Sequence, residues 1–267
     1  MVMTAGIDLG STYTKIAVVK DDELVGYGIG PTGAYPDKTA EKLLDKAMAD
    51  AGLKRAELGY IVSTGYGRRI MSIANEVISE ISANAQGARW VGSEAGVVHT
   101  IVDIGGQDTK VISLDDDLQI RNFKMNDKCA AGTGRFLEVM AKTLKIELSD
   151  LGDVSLKSKK YIEIDSTCVV FAKSEINSLI AKGHHKTDIV AAIHRSVAQR
   201  LALMVRAVGL EEVVFFDGGP ARNVGMRKAL EDELNVKLYV PKNPQIVTSI
   251  GAAILARKKL EEQDNGH

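Results

Sequence analysis

The chain has 267 residues, more than a single small domain needs, and 45% of them are hydrophobic, which is ample for a buried core. Its 34 basic and 35 acidic side chains nearly cancel, so charge gives no support for binding nucleic acid or an anionic membrane surface. No apolar run approaches the roughly 20 residues that span a bilayer, and the N-terminal residues form no basic leader. We therefore expect a cytoplasmic protein of two domains, with proteins and small molecules as partners, no nucleic acid and no membrane.

The first predicted element is an apolar strand that ends in an aspartate and a polar turn, and this pattern occurs twice. DLGSTYTK (8–15) and DIGGQDTK (103–110) coincide at Asp, Gly, Thr and Lys without a gap. The match continues through a second, alternating strand as far as residues 21–22 over 116–117. Such periodicity indicates two copies of one supersecondary unit, and each copy predicts a β-hairpin.

Helices and short strands alternate after the hairpins. A strand with a glycine turn is predicted at 60–69, a strand, glycine turn and helix at 213–234, and another strand at 236–241. The closing helix is expected to return to the first domain. Residues with helical periodicity occupy 39–53, about 130–144, about 169–181, 189–209 and the C-terminal 246–262.

The two cysteines, Cys129 and Cys168, each end a polar run and begin a predicted helix, whose positive end would stabilise a thiolate. Gly132 and Gly134 allow the backbone to approach a metal closely. The plain alternative is a pair of small buried hydrophobes, and a disulfide is disfavoured because cytosolic thiols are kept reduced. Two thiolates do not complete the four-sulfur shell of an iron–sulfur cluster, but a two-fold dimer would bring four to one axis.

Five glycine-rich turns are candidates for phosphate binding, because glycine permits positive φ and leaves backbone N–H groups accessible. Two of them are the turns of the matched hairpins, and the other three precede predicted helices. A single turn of this kind is weak support. Two matched hairpins followed by DGGPARN (217–223) are much more specific.

That order of motifs resembles the superfamily of actin, Hsp70 chaperones and sugar kinases, over nearly the whole chain. The resemblance implies an α/β fold of two duplicated ribonuclease H-like domains around an ATP cleft, one of residues 1–97 plus about 246–267 and one of residues 98–245. DLGSTYTK is similar to the first phosphate loop, DIGGQDTK to the second and DGGPARN to the adenosine loop. The residues implied in nucleotide binding are Gly10, Ser11, Thr12, Tyr13, Thr14, Lys15, Gly105, Gly106, Gln107, Gly132, Gly134, Gly218, Gly219 and Asn223.

The same resemblance implies the catalytic residues. Asp8 and Asp103 would face each other across the cleft, where paired carboxylates hold a hydrated Mg²⁺ against the phosphates of ATP or ADP. Lys15 would add a point charge to the phosphates. Either Gln107 or Asp108 would orient the attacking water, and the sequence does not choose between them.

Two further segments, MNDKCAAGTGRFLEVMA (125–141) and STCVVFAKSE (166–175), are more specific still. They are similar to the activators of 2-hydroxyacyl-CoA dehydratases, of the BadF/BadG/BcrA/BcrD ATPase type, to the ATP-binding subunits of benzoyl-CoA reductases and to the reductases of double-cubane cluster proteins. The resemblance implies a homodimer with one 4Fe-4S cluster held by Cys129 and Cys168 of both protomers. It also implies that ATP drives a low-potential electron from ferredoxin or flavodoxin to an iron–sulfur acceptor protein.

Two residues depart from the pattern of the activators, and two other functions fit part of the sequence. Lys173 stands where activators usually carry an acidic residue, and Pro220 interrupts the adenosine loop. A small-molecule kinase of the superfamily would need a catalytic aspartate beside a sugar pocket and neither thiol. A chaperone-like or scaffold ATPase is disfavoured, because the chain has no room for an appended substrate-binding domain.

Overall fold

The structure is a computed structural model that describes residues 2–164 and 168–265. The chain divides into two compact units, unit 1 of Met1–Val98 with Pro241–His267 and unit 2 of His99–Val240. Each unit has one five-stranded sheet. Within the described ranges, no helix is both long enough and apolar enough to cross a membrane.

Unit 1 is built on a mixed sheet with the strand order β3-β2-β1-β4-β5. β1 (Met3–Leu9) and β2 (Tyr13–Lys20) form the first predicted hairpin, and β3 (Glu23–Pro31) continues it in antiparallel fashion. β4 (Tyr60–Thr64) and β5 (Glu76–Val77) extend the other side in parallel. β1 is central, which is why all of its residues are buried.

Three helices pack against this sheet. α1 (Pro36–Asp50) covers β2 and β3 and buries Leu44 and Met48. α2 (Glu80–Gly92) is capped by Ser79, whose hydroxyl accepts a hydrogen bond from the N–H of Ser82 at 3.0 Å. α8 (Val247–Asn265) packs against α2 and β1, so the closing helix returns to the first unit.

Unit 2 repeats the sheet of unit 1. Its strand order is β10-β9-β6-β7-β8, which has the same two antiparallel and two parallel neighbours when counted from β8. The pairing of the second and third strands also shifts in register at the equivalent place in both units, at Val18/Val19 of β2 and at Ser113/Leu114 of β7. The five strands are β6 (Thr100–Ile104), β7 (Thr109–Leu114), β8 (Ile120–Asn126), β9 (Val214–Gly218) and β10 (Leu238–Tyr239).

The helices of unit 2 share one large apolar core with its sheet. The long α6 contributes residues such as Ile189, Val197 and Leu201, and α3 contributes Phe136 and Met140. The five helices are α3 (Gly134–Leu144), α4 (Leu151–Ser155), α5 (Val169–Ala181), α6 (Lys186–Val208) and α7 (Val224–Leu234).

The first cysteine helix begins later than the sequence predicts. α3 starts at Gly134. Cys129 therefore lies in the preceding loop, whereas the sequence predicts it at the N-terminus of a helix. The cause is Gly132, whose φ of +88° is left-handed, and Thr133, whose hydroxyl donates to the carbonyl of Ala130 at 2.7 Å. Residues 129–133, here called the cysteine loop, therefore form a turn of their own.

Candidate functional site

The first hairpin pairs its aspartate with its lysine. The antiparallel register places Asp8 opposite Lys15, and Lys15 Nζ donates to Asp8 Oδ2 at 2.9 Å. Both side chains are largely buried, with 10% and 20% of their surface exposed. The cation predicted to contact phosphate therefore also neutralises the carboxylate predicted to hold Mg²⁺.

The turn of this hairpin is closed by threonines. Thr14 is fully buried, and its hydroxyl lies 3.1 Å from that of Thr32, which follows β3. The Thr32 hydroxyl in turn donates to the carbonyl of Gly10 at 2.7 Å. The Thr14 hydroxyl is thus hydrogen-bonded inside unit 1. Thr32 is a residue that the sequence analysis missed. The turn residues with exposed or half-buried side chains are Ser11, Thr12 and Tyr13.

The second hairpin adds a third charge to the same arrangement. Lys110 lies opposite Asp103 and contacts its Oδ2 at 3.2 Å, and it contacts Asp108 Oδ2 at 2.5 Å. A Cβ on Gly105 would lie 2.3 Å from Asp108 Oδ1, so a larger residue at this position would displace the Asp108 carboxylate. Gln107 is exposed at the turn. Of the two residues that the sequence left open for orienting water, Asp108 is therefore held by Lys110, whereas Gln107 faces solvent.

A glycine turn packs against the hairpin aspartate in each unit. Gly65, after β4, has φ of +89°, and a Cβ there would lie 2.5 Å from Asp8 Oδ1. Gly218, at the end of β9, has φ of +83°, and a Cβ there would lie 2.7 Å from Asp103 Oδ1 and 2.1 Å from the carbonyl of Ile104. The sequence analysis named Gly218 as a site residue and left out Gly65, although it recognised both turns.

Three predicted loops meet in unit 2. The N–H of Gly134 donates to the carbonyl of Gly105 at 2.9 Å, and that of Arg135 donates to the carbonyl of Gly106 at 2.8 Å. A Cβ on Gly134 would lie 3.6 Å from Pro220 Cγ in DGGPARN. The second hairpin turn and the first turn of α3 are therefore hydrogen-bonded, and the predicted adenosine loop lies beside Gly134.

The side chain of Asn223 is hydrogen-bonded inside unit 2 at both its oxygen and its nitrogen. Its Oδ1 accepts from the N–H of Met226 at 2.9 Å, which caps α7, and its Nδ2 lies 3.1 Å from His194 Nε2. Burial lowers the pKa of His194 to about 4, so the ring is neutral at pH 7 and accepts from Asn223.

Both cysteines lie in unit 2, and neither forms a disulfide. Cys168 is exposed and is the N-cap residue of α5, as the sequence predicts, whereas Cys129 is half-buried. Residues 165–167, just before Cys168, lie outside the described residues. The described ranges contain no group of three or more His, Cys, Asp or Glu side chains that could hold a metal. Two accessible thiols are half of the ligands that a 4Fe-4S cluster needs, so the donor set fits a cluster shared by two chains.

The surface near Cys168 is apolar and cationic. Val170 and Phe171 are 68% and 66% exposed, which is unusual for large apolar side chains at the start of a helix. α3 and α5 pack against each other, and a cavity of about 220 Å³ lies beside them. It is lined by Arg135, Glu138, Val139, Lys142, Thr143 and Lys173.

Two sheets of one topology, each with an Asp–Lys hairpin and a glycine turn against it, define an α/β protein of the duplicated ribonuclease H-like class. This fold class is confirmed by a ROK family glucokinase from Streptomyces griseus, which shares the fold at a TM-score of 0.60 and 13% identity, over 96% of this chain and 99% of that one. At so low an identity the likeness concerns the fold alone.

The chain belongs to the BadF/BadG/BcrA/BcrD ATPase family, whose sequence profile matches residues 5–256. It is 43% identical, over 97% of this chain and 96% of that protein, to the 2-hydroxyisocaproyl-CoA dehydratase activator of Clostridioides difficile. It is also similar to the structure of the activator of the 2-hydroxyisocaproyl-CoA dehydratase from Clostridium difficile with bound ADPNP, at a TM-score of 0.91 and 40% identity over 100% and 98% of the two chains. The resemblance seen in the sequence is thereby confirmed.

Proposed function

We propose that the protein is an ATP-dependent electron-transfer activator. Two chains share one 4Fe-4S cluster through Cys129 and Cys168 of each, and ATP hydrolysis drives a low-potential electron to an iron–sulfur acceptor enzyme. The acceptor is a 2-hydroxyacyl-CoA dehydratase or a double-cubane cluster protein, and a ferredoxin or flavodoxin is the donor. The observation that carries the proposal is the direct hydrogen bonding between the second hairpin turn and the segment that follows Cys129.

In this proposal the two hairpins bind the nucleotide. Asp8 and Asp103 hold a hydrated Mg²⁺ against the phosphates, and the backbone N–H groups of the glycine turns contact the phosphate oxygens. Gln107 orients the attacking water, because the carboxylate of Asp108 is engaged by Lys110. Support comes from membership of an ATPase family and from the relative whose structure was solved with ADPNP.

The cysteines suit the other half of the function. When bound, the cluster supplies one-electron chemistry at low potential. Cys168 is the N-cap residue of α5, so its sulfur lies at the end of the helix where the backbone N–H groups have no partner within the helix. The exposed Val170 and Phe171 offer apolar surface beside this thiol for the second copy and the acceptor. The relatives named as dehydratase activators support an enzyme as acceptor.

The test is iron, acid-labile sulfide and oligomeric mass on protein purified without oxygen. We expect a dimer with about four irons, none of which remain in Cys168→Ser, while ADP binding is retained. Ser174→Ala, on the same helix, is the matched control and keeps its iron. An iron-free monomer that binds ATP and phosphorylates a small molecule would instead show a kinase of the same superfamily.

A further inference from the structure

The cysteine loop is held by two side chains of the sheet. Asn126, the last residue of β8, donates through Nδ2 to the carbonyl of Cys129 at 2.8 Å and to that of Ala131 at 3.0 Å. Thr109, the first residue of β7, is buried and donates from its hydroxyl to the carbonyl of Gly132 at 2.7 Å. The two residues are direct partners in the β7–β8 pairing. One cross-strand pair thus binds three carbonyls of a five-residue loop.

The far end of the same loop is attached to the phosphate hairpin. Gly134 and Arg135, which follow the loop, donate to the carbonyls of Gly105 and Gly106 in the hairpin turn. Thr109 itself is the residue at which β7 leaves that turn. The cysteine loop is therefore hydrogen-bonded through Asn126 and Thr109 to the strands next to the turn, and the residues that follow it are hydrogen-bonded to the turn itself.

We propose that Asn126 and Thr109 form a clasp that transmits nucleotide contact at the second hairpin turn to Cys129. Asn126 is the positioning residue, because its amide binds the carbonyl of Cys129 itself. A nucleotide that orders the turn orders the cysteine loop through these bonds, which lowers the access of reagents to the Cys129 thiol. A role of this coupling in electron transfer rests on the proposed function. The coupling itself requires only that a nucleotide contacts the second hairpin turn.

The chemistry of the clasp specifies an amide. The two carbonyl oxygens need two N–H donors on one short side chain. Asparagine has them, whereas aspartate, which has the same shape, has none. An aspartate at position 126 would place a carboxylate against the carbonyls of Cys129 and Ala131, so both bonds would be replaced by repulsion. Asn126→Asp is therefore a disruptive substitution with almost no change in volume.

The test is the alkylation rate of Cys129 in the full-length Cys168→Ser chain, where Cys129 is the only thiol, with and without ADP. We expect ADP to slow alkylation about threefold or more, since ordering the loop protects the thiol. Asn126→Asp should raise the rate without ADP about tenfold or more, because both hydrogen bonds to the loop are lost, and abolish the response to ADP. ADP affinity, measured by titration, should stay within about threefold of the parent.

Asn122→Asp is the matched control, because it makes the same change on the same strand at a side chain that accepts from the N–H of Phe123. It should leave both rates unchanged. If Asn126→Asp does not fold, Thr109→Val should abolish the ADP response and Thr109→Ser should restore it. A response to ADP that survives Asn126→Asp or Thr109→Val, or that is absent from the parent, overturns the clasp. If the unsubstituted protein contains no iron while Cys129 of the Cys168→Ser chain still responds to ADP through Asn126, the clasp is supported and electron transfer is rejected.

Discussion

Units 1 and 2 build the same hairpin and attach different segments to it. Thr14 and Thr109 occupy equivalent places in the repeat, and each is buried and hydrogen-bonded to the segment that follows the third strand. In unit 1 that segment contains Thr32, which donates to the Gly10 carbonyl and leads into α1. In unit 2 it is the cysteine loop, which leads into α3.

The comparison separates what was duplicated from what was added. In both units the turn of the hairpin is bonded to the segment after the third strand, through Gly10 in one and Gly105 in the other. In unit 1 this bonding holds the segment that leads into α1. In unit 2 the same bonding holds a segment that carries a thiol. The cysteine site thus uses a connection that the duplicated fold already provides, and it needs no separate transmitting element.

The equivalence of the two glycine turns gives the largest expected effect. Gly65→Ala and Gly218→Ala should each lower the free energy of unfolding by about 3 kcal/mol, because each combines a left-handed φ with a collision against the backbone of the neighbouring strand. Urea denaturation measures this. Gly33→Ala in unit 1 and Gly183→Ala in unit 2 are matched controls, since both have positive φ and nothing within 4 Å of the new Cβ. They should cost about 1 kcal/mol.

A cost for Gly65→Ala or Gly218→Ala no greater than that of its control would break the equivalence of the units. The aspartate beside each glycine would then not be fixed by the turn. Equal costs at Gly65 and Gly218 would show that both turns are held against their aspartates with the same tightness.

Acid pH should distinguish the units, because all histidines of the described residues lie in unit 2. Burial holds the pKa of His194 at about 4, below its ordinary value of 6.5, so protons bind the unfolded chain first as pH falls. This part of the stability is complete above pH 6.5 and is lost as pH falls from there toward about 4. Between pH 7 and pH 5 the loss is about 2 kcal/mol.

The measurement is urea denaturation of the protein and of His194→Gln at both pH values. Glutamine keeps an acceptor for Asn223 and does not titrate, so the variant should lose about 2 kcal/mol less on acidification. The control His185→Gln changes an exposed ring and should behave as the parent. Parallel curves for the parent and His194→Gln would show that the ring is protonated without cost.

Sequence predicted the hairpins well because their residues and spacing repeat, and a repeat is visible without any tertiary contact. It missed β3 and β8, two edge strands without a buried residue: β3 alternates its apolar residues with glycines, which weaken a strand, and β8 has no regular apolar alternation. It missed α2 because the buried face of that helix consists of small or polar residues. These are Ala83, Asn84, Ala85, Gly87, Ala88 and Gly92.

The site residues that sequence analysis missed are those whose partners are set by register or by distant segments. Lys110 was visible in the repeat, but its contact with Asp108 depends on the shape of the turn. Thr32 lies far along the chain from the carbonyl of Gly10 that it binds. The helix start at Gly134 was misplaced because apolar periodicity gives no sign of the left-handed residue at Gly132.

The smallest expected effect tests the comparison most directly. Thr14→Val and Thr109→Val each remove a buried hydroxyl with little change in shape, and each should lower the free energy of unfolding by about 1 kcal/mol. The two variants should differ in one respect. Only Thr109→Val should change the alkylation of Cys129, because only its hydroxyl binds the cysteine loop. An equal change in Thr14→Val would mean that the thiol senses stability in general, and that the equivalent threonines do not hold different segments for different purposes.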